Sequence, residues 1–251
     1  AFVDYIGLKK VNDELVKKIM KGLITGAKAA RIAIVGGETS VVPELLADGT
    51  DDIFDLSGTA VGIAQNNRLI LGNQIKIGDI ILGLESSGLH SNGYTLARKV
   101  LSKYSLDKIP EFITRSVGEE LLIPTRIYVQ PIMELIKDRK ITIHGLAHIT
   151  GGSFTKLKRL NNKVRYNLSQ LSPPTGIFKQ IQKNGIIDLR EMYRTFNMGI
   201  GFCIILPKIN VDKTVSIIEK YNIKVSQIGV VDSKGNGKVI GKVGNKKYIF
   251  S

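Results

Sequence analysis

The stretch Asp79-Ile-Ile-Leu-Gly-Leu-Glu-Ser-Ser-Gly-Leu-His-Ser-Asn-Gly-Tyr-Thr-Leu-Ala-Arg-Lys99 passes from a short apolar run through a polar, glycine-containing loop into a run with helical periodicity. The run 79–84 predicts a buried strand, and the apolar residues among 96–101 fall on one side of a helix. Glycines let backbone amides approach an anion, and a helix start adds free N–H groups and a positive dipole end. The stretch therefore predicts a strand, an anion-binding loop and a helix, although a plain turn with a helix cap fits the same residues.

Two further glycine-rich polar loops follow predicted strands. Gly36-Gly-Glu-Thr39 follows the predicted strand 32–35, and Thr150-Gly-Gly-Ser153 follows the predicted strand 141–149. Three such loops in a chain with a net charge of +14 favour a phosphorylated substrate and a nucleotide. A generally basic composition is the alternative explanation of the charge.

The composition limits the fold and the partners. A chain of 251 residues fits one large domain or two small ones, and its strands and helices mix without strict alternation, which predicts the α+β class with mixed sheets. The single cysteine, Cys203, excludes a disulfide within the chain and indicates a reducing, cytoplasmic compartment. Positive charges are scattered, with the densest cluster at Lys156-Leu-Lys-Arg159, and no apolar run could span a bilayer. We therefore expect neither a nucleic acid nor a membrane partner.

Several polar side chains in or near these loops are candidates for chemistry. His90 could donate to phosphate or move a proton, and Glu38 could hold a ribose hydroxyl, a magnesium-bound water or a substrate amine. Arg194 suits bidentate phosphate contact, although a surface arginine in a strand-entry loop fits as well. His144 is expected to be structural, because three histidines without a cysteine cluster do not form a zinc site.

Five stretches together resemble the aminoimidazole ribonucleotide synthetases, also called phosphoribosylformylglycinamidine cyclo-ligases, of purine biosynthesis. They are Val35-Gly-Gly-Glu-Thr39, Ser86-Ser-Gly-Leu-His-Ser-Asn-Gly-Tyr-Thr-Leu-Ala-Arg-Lys-Val100, Leu122-Ile-Pro-Thr-Arg-Ile-Tyr128, Ala147-His-Ile-Thr-Gly-Gly152 and Glu191-Met-Tyr-Arg-Thr-Phe-Asn197. The likeness runs from Ala1 to about Val231.

The resemblance implies a ligase that uses ATP and Mg²⁺ to close the imidazole ring of formylglycinamidine ribonucleotide. It also implies a homodimer of chains with two α+β domains, whose active-site cleft is completed near the dimer interface. The boundary is expected near residue 77, with residues 1–77 as the remainder of the N-terminal ATP-binding and dimerisation domain and residues 78–251 as the C-terminal domain.

The resemblance also implies roles for individual residues, while the metal ligands stay unassigned. Three groups are expected: catalytic His90 and Glu38; substrate-binding Ser91, Asn92, Arg194, Thr195 and Asn197; and nucleotide-binding Gly36, Gly37, Thr39, Thr150, Gly151 and Gly152. Which loop binds ATP and which binds the ribonucleotide stays open.

The chain departs from the family pattern in ways that keep other functions open. The family carries an N-terminal segment before the position of Ala1, so we expect an incomplete first domain, and Ser153 replaces a usual glycine and is expected to narrow its loop. A catalytically incomplete fragment that only binds a ligand is one alternative. Another is a different ATP-dependent synthetase of the superfamily, such as a formylglycinamidine or selenophosphate synthetase, although these lack the run from His90 to Tyr94.

Overall fold

The computed structural model describes residues 1–47 and 49–250, and these residues form ten strands and eight helices. The strands are β1 (Phe2–Leu8), β2 (Ile34–Val41), β3 (Phe54–Ala60), β4 (Ile80–Glu85), β5 (Gly145–His148), β6 (Val164–Leu171), β7 (Ile200–Leu206), β8 (Val225–Lys234), β9 (Val239–Val243) and β10 (Lys246–Ile249). The helices are α1 (Asp13–Ala30), α2 (Tyr94–Leu101), α3 (Val117–Leu121), α4 (Val129–Lys137), α5 (Leu157–Leu160), α6 (Gly176–Gly185), α7 (Leu189–Thr195) and α8 (Val211–Glu219).

The chain divides into two compact units. Unit 1 comprises Ala1–Leu69 together with Ile127–Gln130, and unit 2 comprises Ile70–Arg126 and the chain from Pro131 onward. Each unit has one sheet with both parallel and antiparallel pairs, which confirms the predicted α+β class with mixed sheets. Along the part of the chain that the structure describes, no helix is both long and apolar enough to cross a membrane.

Unit 1 has a three-stranded sheet in the order β2-β1-β3 with α1 packed on one face. Strand β1 pairs parallel to β2 and antiparallel to β3. Helix α1 begins after Asn12, whose side-chain oxygen accepts a hydrogen bond from the Leu15 N–H and so caps the helix. Its apolar stripe buries Ile19 against Ile6 and Leu8 of β1.

The prediction of a loop at Gly36–Thr39 is wrong, because these residues lie inside β2. Val3 through Ile6 of β1 align with Gly36 through Thr39 in a parallel ladder. Pairing along a neighbouring strand satisfies the backbone groups of this segment, and that gain outweighs the weak strand preference of glycine. The sequence signal for a turn was therefore overridden by tertiary pairing.

Unit 2 has a seven-stranded sheet in the order β10-β9-β6-β8-β4-β7-β5. Strand β4 lies between β8 and β7, pairs antiparallel to both and is buried along most of its length, which confirms the buried strand predicted from its apolar run. A core rich in aromatic residues includes Phe154, Tyr166, Tyr193, Phe196 and Phe250. The polar ends of β4 and β5, with their following loops, are thus held by a rigid sheet.

Several predicted elements of unit 2 differ from the observed ones. The apolar residues of Leu69–Leu71 and Ile75–Ile77 predict short strands, but neither segment forms one. Conversely, β6 and α7 form in segments whose polar composition predicts irregular structure. Strand β6 alternates buried and more exposed residues over its first half, so its pattern of period two was readable from the sequence.

Candidate active site

In unit 1, Asp4 lies in a row of residues whose other two members are glycines. It pairs with Gly37 of β2 on one side and with Gly58 of β3 on the other. A Cβ added to Gly37 would lie 2.7 Å from Asp4 Oδ1, so only glycine leaves room beside this carboxylate. Asp4 is only 8% exposed, which is unusual for an acid. Sequence reasoning missed Asp4, although an acid within an apolar strand was itself a signal.

Glu38 and Thr39 are exposed on β2. The Glu38 carboxylate accepts a hydrogen bond from the Thr39 N–H at 3.0 Å. Because Glu38 aligns with Tyr5 and Gly37 aligns with Asp4, the two acids project from opposite faces of the sheet. They cannot ligate one ion, and the described residues contain no group of three or more His, Cys, Asp and Glu side chains suited to a metal.

In unit 2, His90 occupies the loop between β4 and α2 and is only 2% exposed. Its backbone has a φ of 58°, and its Nε2 accepts the Ser87 N–H at 3.0 Å. Burial lowers the pKa of His90 to about 4, and the positive charges of His148 and Arg126 contribute to the decrease. The ring is therefore neutral at pH 7, with its proton on Nδ1.

Further basic side chains lie around His90. The His148 ring centroid is 6.2 Å from that of His90, and burial together with the charge of Lys156 lowers the pKa of His148. Arg126 Nη2 lies 3.8 Å from Glu85 Oε2. No sequence pattern pointed to a role for Arg126, and Lys156 stood out only as a member of the densest cluster of positive charge. Only the folded topology places these distant cations near the two histidines.

The structure brings the second and third glycine-rich loops together. A Cβ on Gly151 would lie 3.1 Å from Asn92 Oδ1, and the Ser91 and Thr125 hydroxyls are 2.8 Å apart. The arrangement places amide and hydroxyl groups beside basic side chains. Such a combination suits an anionic ligand.

Ser153 does not narrow the glycine loop. It is fully buried, has a φ of 45°, and donates its hydroxyl hydrogen bond to the Phe196 carbonyl at 2.8 Å. The side chain thus ties the third loop to the segment after α7. Its positive φ also explains why a glycine would fit this position well.

The three residues predicted near the end of α7 differ in their surroundings. Asn197 is 4% exposed, and its Nδ2 donates to the carbonyls of Gly88 and Leu89 at 2.9 and 3.1 Å. Its Oδ1 accepts the Gly199 N–H at 2.8 Å, so the backbone engages both ends of the amide. Asn197 thereby anchors the loop that carries His90.

Arg194 and Thr195 both contact Glu191, one helical turn earlier in α7. The Arg194 guanidinium lies 3.7 Å from Glu191 Oε2, and the Thr195 hydroxyl donates to Glu191 Oε1 at 2.8 Å. Arg194 is exposed. Neither side chain is tied to the backbone of the His90 loop in the way that Asn197 is.

Two family models match this chain along most of its length. Residues 1–64 match the AIR synthase related protein, N-terminal domain, and residues 76–242 match the AIR synthase related protein, C-terminal domain. The chain belongs to the AIR synthase related family. This result confirms the family predicted from the five motifs.

Relatives within the AIR synthase related family are named phosphoribosylformylglycinamidine cyclo-ligase. The protein of Methanocaldococcus jannaschii is 48% identical over 248 residues, which cover 96% of this chain and 69% of that relative. The protein of Pyrococcus horikoshii is 49% identical over 222 residues, which cover 88% of this chain and 63% of that relative. These names confirm the predicted enzyme class, and the chain spans about two thirds of each relative.

Solved structures with the same fold are more distant in sequence. The hydrogenase maturation protein HypE in complex with ATP has a TM-score of 0.66 at 16% identity, over all of this chain and 72% of that one. T. maritima PurL complexed with AMPPCP has a TM-score of 0.57 at 11% identity, over 99% of this chain and 36% of that one. At these identities the likeness shows the fold alone.

Proposed function

We propose that this chain catalyses the ATP-dependent cyclisation of formylglycinamidine ribonucleotide to aminoimidazole ribonucleotide, with release of ADP and phosphate. The observation that carries the proposal is the electropositive cluster around a buried, neutral His90, built from motifs of a family whose relatives bear the cyclo-ligase name. In this reaction ATP phosphorylates the formyl oxygen, and that oxygen then leaves as phosphate. Such a phosphoryl transfer requires that the phosphate groups be positioned and their negative charge neutralised more than it requires a protein nucleophile. The cluster supplies those requirements.

Residues of unit 2 are proposed to bind the ribonucleotide. Asn92, Ser91 and Gly151 present amide and hydroxyl groups on two adjoining loops, and Arg126 adds a charge suited to a phosphate. The His90 ring, neutral at pH 7, is proposed to orient the reacting groups rather than to store a proton. Thr150 and Gly152 flank Gly151 in the same loop, whereas Arg194 and Thr195 are proposed as peripheral contacts.

Residues of unit 1 are proposed to bind the nucleotide. The exposed part of β2 includes Gly36, Gly37 and Thr39, which we assign to nucleotide binding. The Glu38 carboxylate could accept a hydrogen bond from a ribose hydroxyl. Bound Mg-ATP would supply the phosphoryl group that activates the formyl oxygen. Asp4 fits a Mg²⁺ ion, because this ion commonly keeps several waters and takes one or two carboxylates together with substrate phosphates. Gly37 leaves the carboxylate its place, because a Cβ there would lie 2.7 Å from Asp4 Oδ1, whereas the space beside Gly58 is filled by the Phe2 ring.

The activity is tested with two substitutions at His90. In His90→Gln the side-chain oxygen can replace Nε2 as acceptor for Ser87, so the loop keeps its bond while the Nδ1 position is lost. We expect both His90→Gln and His90→Ala to lower turnover of formylglycinamidine ribonucleotide by at least about 100-fold, the usual scale for a group that assists proton transfer or orientation. Lys183→Ala, exposed on α6, is the control. Near-normal turnover in folded His90→Gln would remove His90 from the mechanism.

The nucleotide site is tested by thermal unfolding with and without Mg-ATP. Mg-ATP is expected to raise the melting temperature, because a ligand that binds only the folded state stabilises it. Asp4→Asn should reduce that increase, whereas Asp55→Asn should not, since Asp55 is an exposed carboxylate on the opposite face of the same sheet. No increase in the unsubstituted protein would argue against a complete nucleotide site in this chain.

We further propose a cytoplasmic homodimer that forms through unit 1. Strand β3 is exposed along its whole length, and its Phe54 and Leu56 side chains are 42% and 45% exposed on the face that carries the buried Ile6 and Leu8. An exposed edge strand with apolar side chains favours association with a second chain.

Light scattering should give twice the chain mass of 27.6 kDa. Leu56→Glu should lower this mass to that of the monomer. Leu106→Glu in unit 2, at a residue that is 61% exposed, should leave the dimer intact. A monomeric unsubstituted protein at micromolar concentration would contradict the dimer.

A further inference from the structure

Two segments of unit 2 carry lysines and arginines but no acids. There is no Asp or Glu from Arg139 to Ile187, and none after Asp232. The fold brings the two segments together, because β6 pairs in parallel with β9. In this parallel pairing the first residues of β6 and β9 lie side by side, so Lys163 and Lys238, which precede the two strands, lie at the same end of the pair.

A cavity of about 530 Å³ lies at that end, well within the size range of ligand sites. It is lined by Asn73, Lys158, Arg159, Leu160, Asn161, Asn162 and Lys163. The lining thus contains three cations and three amides, without a carboxylate or an aromatic ring. A lining of this kind suits phosphate groups and offers no surface on which a base could stack.

The walls of the cavity are fixed by specific contacts rather than by mobile side chains. Gly72 packs so closely that a Cβ on it would lie 2.4 Å from the Leu160 carbonyl oxygen. Asn161 donates to the Ile75 carbonyl at 3.2 Å and accepts the Lys163 N–H at 2.9 Å. The backbone that presents Lys163 is therefore preorganised, which lowers the entropy cost of binding.

Lys158 is also held in place. Its side chain crosses Gly237, where an added Cβ would lie 2.6 Å from Lys158 Cγ. Within the part of the chain that the structure describes, Lys158, Arg159 and Lys163 form no ion pair with a carboxylate. Burial and the neighbouring positive charge of Arg159 also lower the pKa of Lys156, the residue two positions before Lys158.

We propose that this cavity binds a compact polyphosphate, either inorganic or the phosphate chain of a nucleotide, through Lys158, Arg159 and Lys163. The site is separate from the residues assigned above to Mg-ATP and to the ribonucleotide. The cavity recognises the phosphate groups by its positive charge and by its fixed asparagine amides. Binding should therefore weaken as salt rises from about 20 to about 200 mM, because salt screens exposed charges.

The test is calorimetric titration of the full chain with inorganic tripolyphosphate and, separately, with ATP. Lys158→Ala/Arg159→Ala should weaken tripolyphosphate binding at least tenfold and leave intact the part of the Mg-ATP thermal shift that Asp4→Asn removes. Lys179→Ala/Lys183→Ala is the matched control, because it removes the same charge from exposed positions of the same acid-free segment. This control should change the affinity less than twofold.

The outcomes separate the possible ligands. If Lys158→Ala/Arg159→Ala weakens the binding of tripolyphosphate and of ATP equally, the cavity binds the phosphate chain alone, as proposed. If it weakens ATP binding and leaves tripolyphosphate binding unchanged, the cavity recognises the nucleoside and the proposal of a polyphosphate site is wrong. Three other results would also overturn the proposal. The two double variants could lose affinity for tripolyphosphate equally, or neither anion could bind at 1 mM. Single-stranded RNA could also bind more tightly than tripolyphosphate and lose affinity in Lys158→Ala/Arg159→Ala. Lys163→Gln, tested in parallel, provides the same comparison if the Lys158→Ala/Arg159→Ala protein does not fold.

Discussion

At the scale of single residues, the buried His90 ring links stability to pH. Its pKa is about 4 in the folded chain, against an ordinary value near 6.5 when unfolded. Between these values the unfolded chain binds more protons, so the free energy of unfolding falls as the pH falls through this window. Well above pH 6.5 neither state binds a proton at this residue, and the stability no longer depends on its titration.

We expect the unsubstituted protein to lose stability on the order of 2 kcal/mol from His90 between pH 6.5 and pH 4. His90→Gln removes the titrating group and should flatten this part of the curve. Urea unfolding at pH 7, 5 and 4 measures the difference. If the free energy of unfolding depends on pH in the same way in the two proteins, His90 is not the group responsible. Any pH dependence that remains in His90→Gln comes from other groups, including His148, whose pKa is also lowered.

Gly93 determines how the His90 loop enters α2. It has a φ of 77°, and a Cβ on it would lie 2.3 Å from the Phe196 ring. Gly93→Ala should therefore destabilise the fold by about 2–4 kcal/mol, the sum of left-handed backbone strain and overpacking.

Gly78→Ala is the matched control for Gly93→Ala. Gly78 has a φ of 92° but no atom within 4 Å of an added Cβ, so this substitution carries the backbone strain without the clash. Chemical unfolding measures both variants. If Gly93→Ala and Gly78→Ala lower the free energy of unfolding equally, the Phe196 ring moves aside at no energetic cost.

At the scale of elements, the connection between β4 and α2 depends on a residue that follows α7. Asn197 bonds the Gly88 and Leu89 carbonyls and the Gly199 N–H from a buried position. Asn197→Ala leaves these groups without their partner, which should cost about 2–3 kcal/mol and loosen the His90 loop.

Hydrogen exchange tests the role of Asn197 directly. Amides of residues 86–93 should exchange faster in Asn197→Ala than in the unsubstituted protein. Asn210→Ala is the control, since Asn210 makes similar side-chain bonds to the backbone of Lys140 and Thr142 elsewhere in unit 2. Unchanged protection of residues 86–93 would mean that other contacts hold the loop.

The elements also show what the sequence could and could not predict. The passage from β4 through the His90 loop to α2 was readable, because apolar periodicity and loop composition agreed there. Gly36–Thr39 was read as a loop, because nothing local reveals that β1 will pair along it. Arg126 and Lys156 were missed as neighbours of the histidines for a similar reason, since their positions depend on how distant elements pack. The role of Asn197 as an anchor likewise depends on its burial.

At the scale of the whole molecule, the two units differ in their hydrophobic cores. The cluster in unit 1 has three buried apolar residues, Ile6, Leu8 and Ile19, whereas unit 2 buries a much larger apolar core that includes several aromatic rings. A small core gives a low resistance to unfolding. We expect unit 1 to unfold first, so that calorimetry shows two transitions.

Hydrogen exchange should assign the two transitions. Amides of β1 should exchange before those of β4, and the first transition should move to higher temperature with protein concentration if unit 1 forms the proposed dimer. A single transition with equal protection of β1 and β4 would contradict this order.

Unit 1 is not one continuous piece of chain, because it includes Ile127–Gln130. Gln130 donates a hydrogen bond to the Ala29 carbonyl at 3.3 Å, and the Ile127 side chain approaches within 3.9 Å of a Cβ placed on Gly26. A genetic crossover between residues 69 and 127 would therefore combine α1 from one parent with residues 127–130, which contact it, from the other parent. The two units cannot be exchanged between homologues as independent modules, and viable chimaeras should need α1 and residues 127–130 from the same parent.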